Sequence, residues 1–256
     1  MFNFNRLGRC SSGIGIRRLT LAVVLTSTTS VALGGPRNVT NEEMAMIPRY
    51  CPDTQGWSER SGTPSAPSAA AKRWLAMMGP GFWAVHHYCW GQINLQRALR
   101  TGTPPQIRRG LLEGVIGDYY YVVNNTKSDF ILLPEIYTRI GEAQLHLSRP
   151  NEASKAFAQA RALKPDYWPA YSHWAEFLMK SGKTAEAKQV VKAGLEYSPN
   201  SKVLAEQYRL LGGKRSDIVP KVKEAAPASD TGETNKPRAT PYKESTDAPP
   251  TGSADQ

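Results

Sequence analysis

The sequence predicts an all-α protein: a right-handed solenoid of stacked helical hairpins that ends in a capping helix. Three observations carry this expectation. Apolar residues recur at helical spacing from residue 69 to residue 211, and no Asn-Gly or Asp-Gly turn joins alternating runs. Lys164-Pro165 and Ser198-Pro199 lie 34 residues apart, and other residue types repeat at that interval. Pro104-Pro105, Pro165 and Pro199 fall at the borders of periodic stretches, where proline suits a first helical turn or ends a helix.

The N-terminal stretch 1–34 reads differently from the rest. Arg6, Arg9, Arg17 and Arg18 precede an apolar run at 19–33, small residues lie at its end, and the first acid is Glu42. This is the pattern of a secretory signal peptide, so an exported, periplasmic protein is expected. The other reading is an uncleaved inner-membrane anchor. The run is shorter than the ~20 apolar residues a spanning helix needs, and Thr26, Ser27, Thr28, Thr29 and Ser30 interrupt it. Arg17-Arg18 also permits a twin-arginine route.

Loss of that segment would take the formal charge from +10 to +6 and remove Cys10, leaving Cys51 and Cys89. In an oxidising compartment two such cysteines are expected to form a disulfide. With a separation of 38 residues, the bond would stabilise the fold by about 4 kcal/mol on the chain-entropy model.

Residues 35–81 are expected to hold a short arm, a Ser/Gly/Pro-rich linker at 58–68 and a helix at 69–78. Gly79-Pro80-Gly81 then starts a helix at 82–99, followed by a turn and a helix at 106–124, so that 82–133 forms one divergent hairpin. Arg97, Arg100, Arg108 and Arg109 cluster around that turn as a solvated basic helix end. Residues 134–212 hold two repeat units and the capping helix at 201–211. The tail at 213–256 has seven basic and seven acidic residues and almost no large apolar ones after Val222, so it is expected to be disordered.

The two units at 134–199 align residue by residue. Tyr137 falls on Tyr171, Ile140-Gly141 on Trp174-Ala175, and Glu152-Ala153 on Glu186-Ala187. Gly141 and Ala175 keep the first helix thin where the second crosses it, and Ala153 and Ala187 do the same from the other side. Phe157 and Val191 fill the gap farther down, while Ala160 and Gly194 let the next unit approach. Pro165 and Pro199 end the second helices. Trp90-Gly91 repeats the large-then-small step in the divergent hairpin.

This pattern resembles the tetratricopeptide repeat family. Gln144 stands where that family often has an aromatic residue, and Gly194 where alanine is usual. The resemblance implies a non-catalytic scaffold or adaptor that binds a segment of another protein along its concave face, and the signal-like N-terminus places it in the bacterial cell envelope as an expectation. The first helices would line that face with Thr138, Glu142, Leu145 and His146 from one unit. Ser172, Glu176, Met179 and Lys180 would follow from the next. The lysines and asparagines of the family's carboxylate clamp are missing, so a neutral or basic segment is expected rather than a C-terminal carboxylate. Glu142 and Glu176 are expected to stack as like charges.

A second reading rests on His86-His87-Tyr88-Cys89, which would make the protein a metal- or haem-handling accessory factor using His86, His87 and Cys89. The spacing matches no common zinc pattern and no Cys-x-x-Cys-His motif is present. Catalytic motifs of the Gly-x-Ser-x-Gly, His-Glu-x-x-His, phosphate-loop and dinucleotide kinds are absent from the sequence. No enzyme activity, cofactor or nucleic-acid partner is expected.

Overall fold

The computed structural model describes residues 35–54 and 68–221, and among these there is no strand. The expected signal segment, the linker apart from Ser68, and the tail beyond Lys221 lie outside the described residues.

Three hairpins and one further helix form the body. They are α3 (Val85–Leu99) with α4 (Pro105–Asn124), α5 (Leu133–His146) with α6 (Pro150–Leu163), α7 (Trp168–Lys180) with α8 (Thr184–Tyr197), and α9 (Lys202–Leu210). Proline occupies the first turn of α4, α5, α6 and α7, where its missing N–H costs no intrahelical bond. Ser201 caps α9 by accepting from the Leu204 N–H. The first helices stand side by side, α5 against α7 and α7 against α9, so the array is a helical solenoid.

The close crossings expected from sequence occur. A Cβ at Gly141 would lie 2.8 Å from the Phe157 ring, and one at Gly194 would lie 2.8 Å from both Leu204 and Tyr171. Gly91 receives the Tyr119 ring in the same manner, which makes α3–α4 a hairpin of the same kind with a longer second helix.

The turn after α5, α7 and α9 also repeats. Ser148 (φ 60°) and Gly182 (φ 74°) stand 34 residues apart, and Gly212 (φ 69°) holds the same place after α9. In each, the following N–H bonds back to a carbonyl five residues earlier: Arg149 to Gln144, Lys183 to Leu178, and Gly213 to Tyr208. This is the Schellman stop, which needs a left-handed residue.

Buried side chains form one large cluster from Ile47 to Ala156 and a second around Tyr171, Val191 and Leu204. Ala153, Phe157, Ala160 and Ala170 join them, with Tyr137 and Trp174 packed alongside.

The N-terminal arm differs from expectation. It carries a helix, α1 (Asn41–Ala45), whose Thr40 and Glu43 form a reciprocal capping box. Glu43 is 2 % exposed and holds Arg97 at 2.8 Å and Arg100 at 3.0 Å, so these two arginines are not part of a free basic patch. Arg97's bond to Glu43 outweighs burial and holds that carboxyl down at about 2. Cys51 is bonded to Cys89 on α3 with a Cα–Cα distance of 5.7 Å, and both are fully buried. Helix α2 (Ala69–Met78) joins this end through the Trp74 indole, which donates to Asp53 at 2.8 Å.

At the other end the described chain continues past Gly213. Ile218 packs on the second cluster, and the Lys221 N–H bonds to the Glu196 carbonyl on α8 at 2.7 Å.

Candidate protein-binding groove

A polar rung crosses each seam between neighbouring first helices. The Tyr88 hydroxyl on α3 donates to Glu135 on α5 at 2.6 Å. His173 Nδ1 on α7 lies 2.9 Å from Glu142 on α5. Gln207 Nε2 on α9 donates to the Ser172 carbonyl on α7 at 3.2 Å. The rungs link α3 to α5, α5 to α7 and α7 to α9, and none of the three was foreseen. A signal for two of them exists in the sequence. The paired positions, 142 with 173 and 172 with 207, are offset by close to one repeat, which is where adjacent first helices must meet.

The eight residues expected to line the groove divide into three kinds. Thr138 and Ser172 are buried, 3 % and 7 % exposed, and do not offer side chains to a partner. Thr138 turns its hydroxyl back to the Pro134 carbonyl of its own helix at 2.8 Å, as helical threonines do. Ser172 sits where α9 closes on α7.

Glu142 and Glu176 are each held by cations instead of repelling one another as expected. Arg139 donates to Glu142 at 3.0 Å beside His173, and Lys180 donates to Glu176 at 2.6 Å one turn along α7. Burial pushes the Glu142 carboxyl up, but the bond from His173 and the charge of Arg139 more than offset it, so the net shift is downward.

Leu145 and Met179 are half-buried, each packed against a core cluster, while His146 and Lys180 are exposed. Although the residue is exposed overall, partial desolvation of its ring lowers the His146 imidazole below its ordinary range, against the pull of Glu142 and with help from the Arg108 guanidinium. The surface that remains open is therefore apolar at Leu145 and Met179 and polar at its margins. It can hold a peptide by contact and rim hydrogen bonds, and it lacks a convergent set of groups for bond making or breaking.

The metal reading has no support. Cys89 is consumed by the disulfide. His87 is buried, with Nδ1 2.7 Å from Asp118 and its ring stacked on Tyr121 at 3.7 Å. His86 Nδ1 lies 2.7 Å from the Trp83 carbonyl oxygen. Among the described residues no group of three His, Cys, Asp or Glu side chains could hold a metal ion. These rings instead build an aromatic cluster with Trp90 on the α3–α4 hairpin.

Residues 144–207, from the last turn of α5 into α9, match the family model described as Tetratricopeptide repeat. No curated protein matches the chain.

Proposed function

We propose, from the tetratricopeptide repeats at residues 144–207, that this protein is a non-catalytic scaffold in the cell envelope that holds a segment of another protein in the groove of its first helices. The observation that carries this reading is the packing of α5, α7 and α9 side by side, bridged by the His173–Glu142 and Gln207–Ser172 rungs, with Leu145 and Met179 between polar margins. The segment is neutral or basic. Since Glu142 and Glu176 already have cations, apolar contact supplies most of the affinity and charge sets the register.

Export rests on the signal-like segment at 1–34, and the Cys51–Cys89 bond suits an oxidising compartment such as the periplasm. Among the described residues no helix is long and apolar enough to cross a membrane. If the N-terminal segment is not cleaved, the same scaffold is displayed from the inner membrane.

The test is site-specific photo-crosslinking in the native host. A photoreactive residue at Met179 or Leu145 should capture one discrete partner that a probe at the exposed outer positions Lys155 or Ala158 does not. Capture from the outer positions alone would refute the groove reading. N-terminal sequencing of the fractionated protein decides between cleavage and anchoring.

A further inference from the structure

The C-terminal end of the array holds an unfinished repeat. Helix α9 ends on the same Schellman stop as α5 and α7, which marks it as the first helix of a fourth hairpin. Among the described residues no second helix follows. Residues 213–221 cross in its place as a strap with one short 3-10 turn, Arg215–Asp217, and are fixed where Lys221 meets Glu196. In the two complete units, Phe157 and Val191 from the second helix are fully buried against the first. Here no such side chain enters, and a cleft of about 350 Å³ is left between α8, α9 and the strap.

Its lining is asymmetric. Leu195, Ala205, Tyr208 and Ile218 make an apolar floor, and Arg209 and Arg215 stand in the wall with no acid among the lining residues. Arg209 pairs with Glu206 on the surface of α9, and Arg215 donates to the Pro199 carbonyl at 3.3 Å. Asp217, on the strap, accepts from the Lys214 N–H and from the Tyr208 hydroxyl, which leaves the two guanidiniums as the charged groups of the wall. Both guanidiniums keep further donors for an incoming anion. The volume lies at the small end of the range of ligand pockets, about 300–1,000 Å³, which suits a compact ligand and is too small for a helix.

We propose that this cleft is a binding site for a small amphipathic carboxylate, an apolar body of medium-chain fatty-acid size whose carboxylate is held by Arg209 and Arg215. It is separate from the concave groove and uses none of its residues.

Titration of the full chain with decanoate, followed by calorimetry and by NMR, tests it. The expected result is one site per chain, with shifts confined to Tyr208, Ile218 and their neighbours and affinity falling about fourfold per methylene removed. Decanol should bind about tenfold more weakly than decanoate, as should decanoate to Arg209→Gln/Arg215→Gln. Ala205→Phe should abolish binding by filling the floor. If that variant does not fold, the double arginine variant, altered only at the surface, still decides. The proposal is overturned if millimolar decanoate does not bind, if the shifts map elsewhere, or if affinity is unchanged in the double arginine variant.

Discussion

His173 and Glu142 meet 2.9 Å apart across the seam between α5 and α7, and Arg139 completes the contact from one turn before Glu142 on α5. Glu142 is thus a structural anion more than a free acidic group of the groove. Glu142→Lys places a second cation beside Arg139 in this half-buried site and should cost about 2–3 kcal/mol, read as a loss of melting temperature. Glu176→Lys, on an exposed turn, should change stability by less than about 0.5 kcal/mol. Equal effects of the two substitutions would contradict the pairing.

Gly141 is the tightest point of the second hairpin. Gly141→Leu must push the Phe157 ring away and should destabilise by about 1–3 kcal/mol or more, and Ala153→Leu should do likewise at the same crossing. Adding Phe157→Leu to Gly141→Leu should recover part of the loss, since neighbouring sites couple. Strict additivity in denaturant melts would argue against the contact.

Ser148 adopts the left-handed conformation that glycine takes at the matching turns 182 and 212. An L residue there costs roughly 1–2 kcal/mol, part of which is offset by the lower freedom of serine in the unfolded chain. Ser148→Gly should therefore stabilise by about 0.5–1 kcal/mol, and Gly182→Ser should destabilise by a similar amount. A fall in melting temperature for Ser148→Gly would exclude this account.

Acid should loosen the N-terminal end by way of Glu43. Its carboxyl is held at about 2 in the fold against an ordinary 4.5. A depressed pKa gives stability that is complete above the unfolded value and is lost as pH falls from about 4.5 towards about 2, an effect on the order of 3 kcal/mol. Glu43→Gln should lower stability at neutral pH and flatten the acid limb of the stability curve. Hydrogen exchange in α1 should show the same dependence, and an unchanged acid limb would exclude Glu43 as the source.

What was legible in the sequence was whatever repeats. The 34-residue echo of Gly141 with Ala175 and Ala153 with Ala187 is a packing rule written twice, so hairpins α5–α6 and α7–α8 could be read directly. Cys51 and Cys89 were legible because removing one segment leaves an even pair. The bracket of Glu43 on Arg97 and Arg100 was not, because an acid and two cations 54 and 57 residues away share no period. Nor was the burial of Thr138 and Ser172, which depends on how closely neighbouring first helices approach. The strap at 213–221 was hidden by its composition, since Gly213 and Lys214 resemble the tail that follows.

Both ends of the stack are sealed, by the disulfide-tied arm over α3 and by the strap over α8 and α9. On the groove reading proposed above, the footprint on a partner is therefore set by the described helices. Neighbouring helices pack about 8–10 Å apart, so the axes of α5, α7 and α9 span roughly 20 Å, the length of an extended stretch of about six residues. A binding sequence longer than that gains nothing from this groove alone. Its remaining residues must be read by a second chain, which makes the count of scaffolds per partner a direct measure of how much sequence is being recognised.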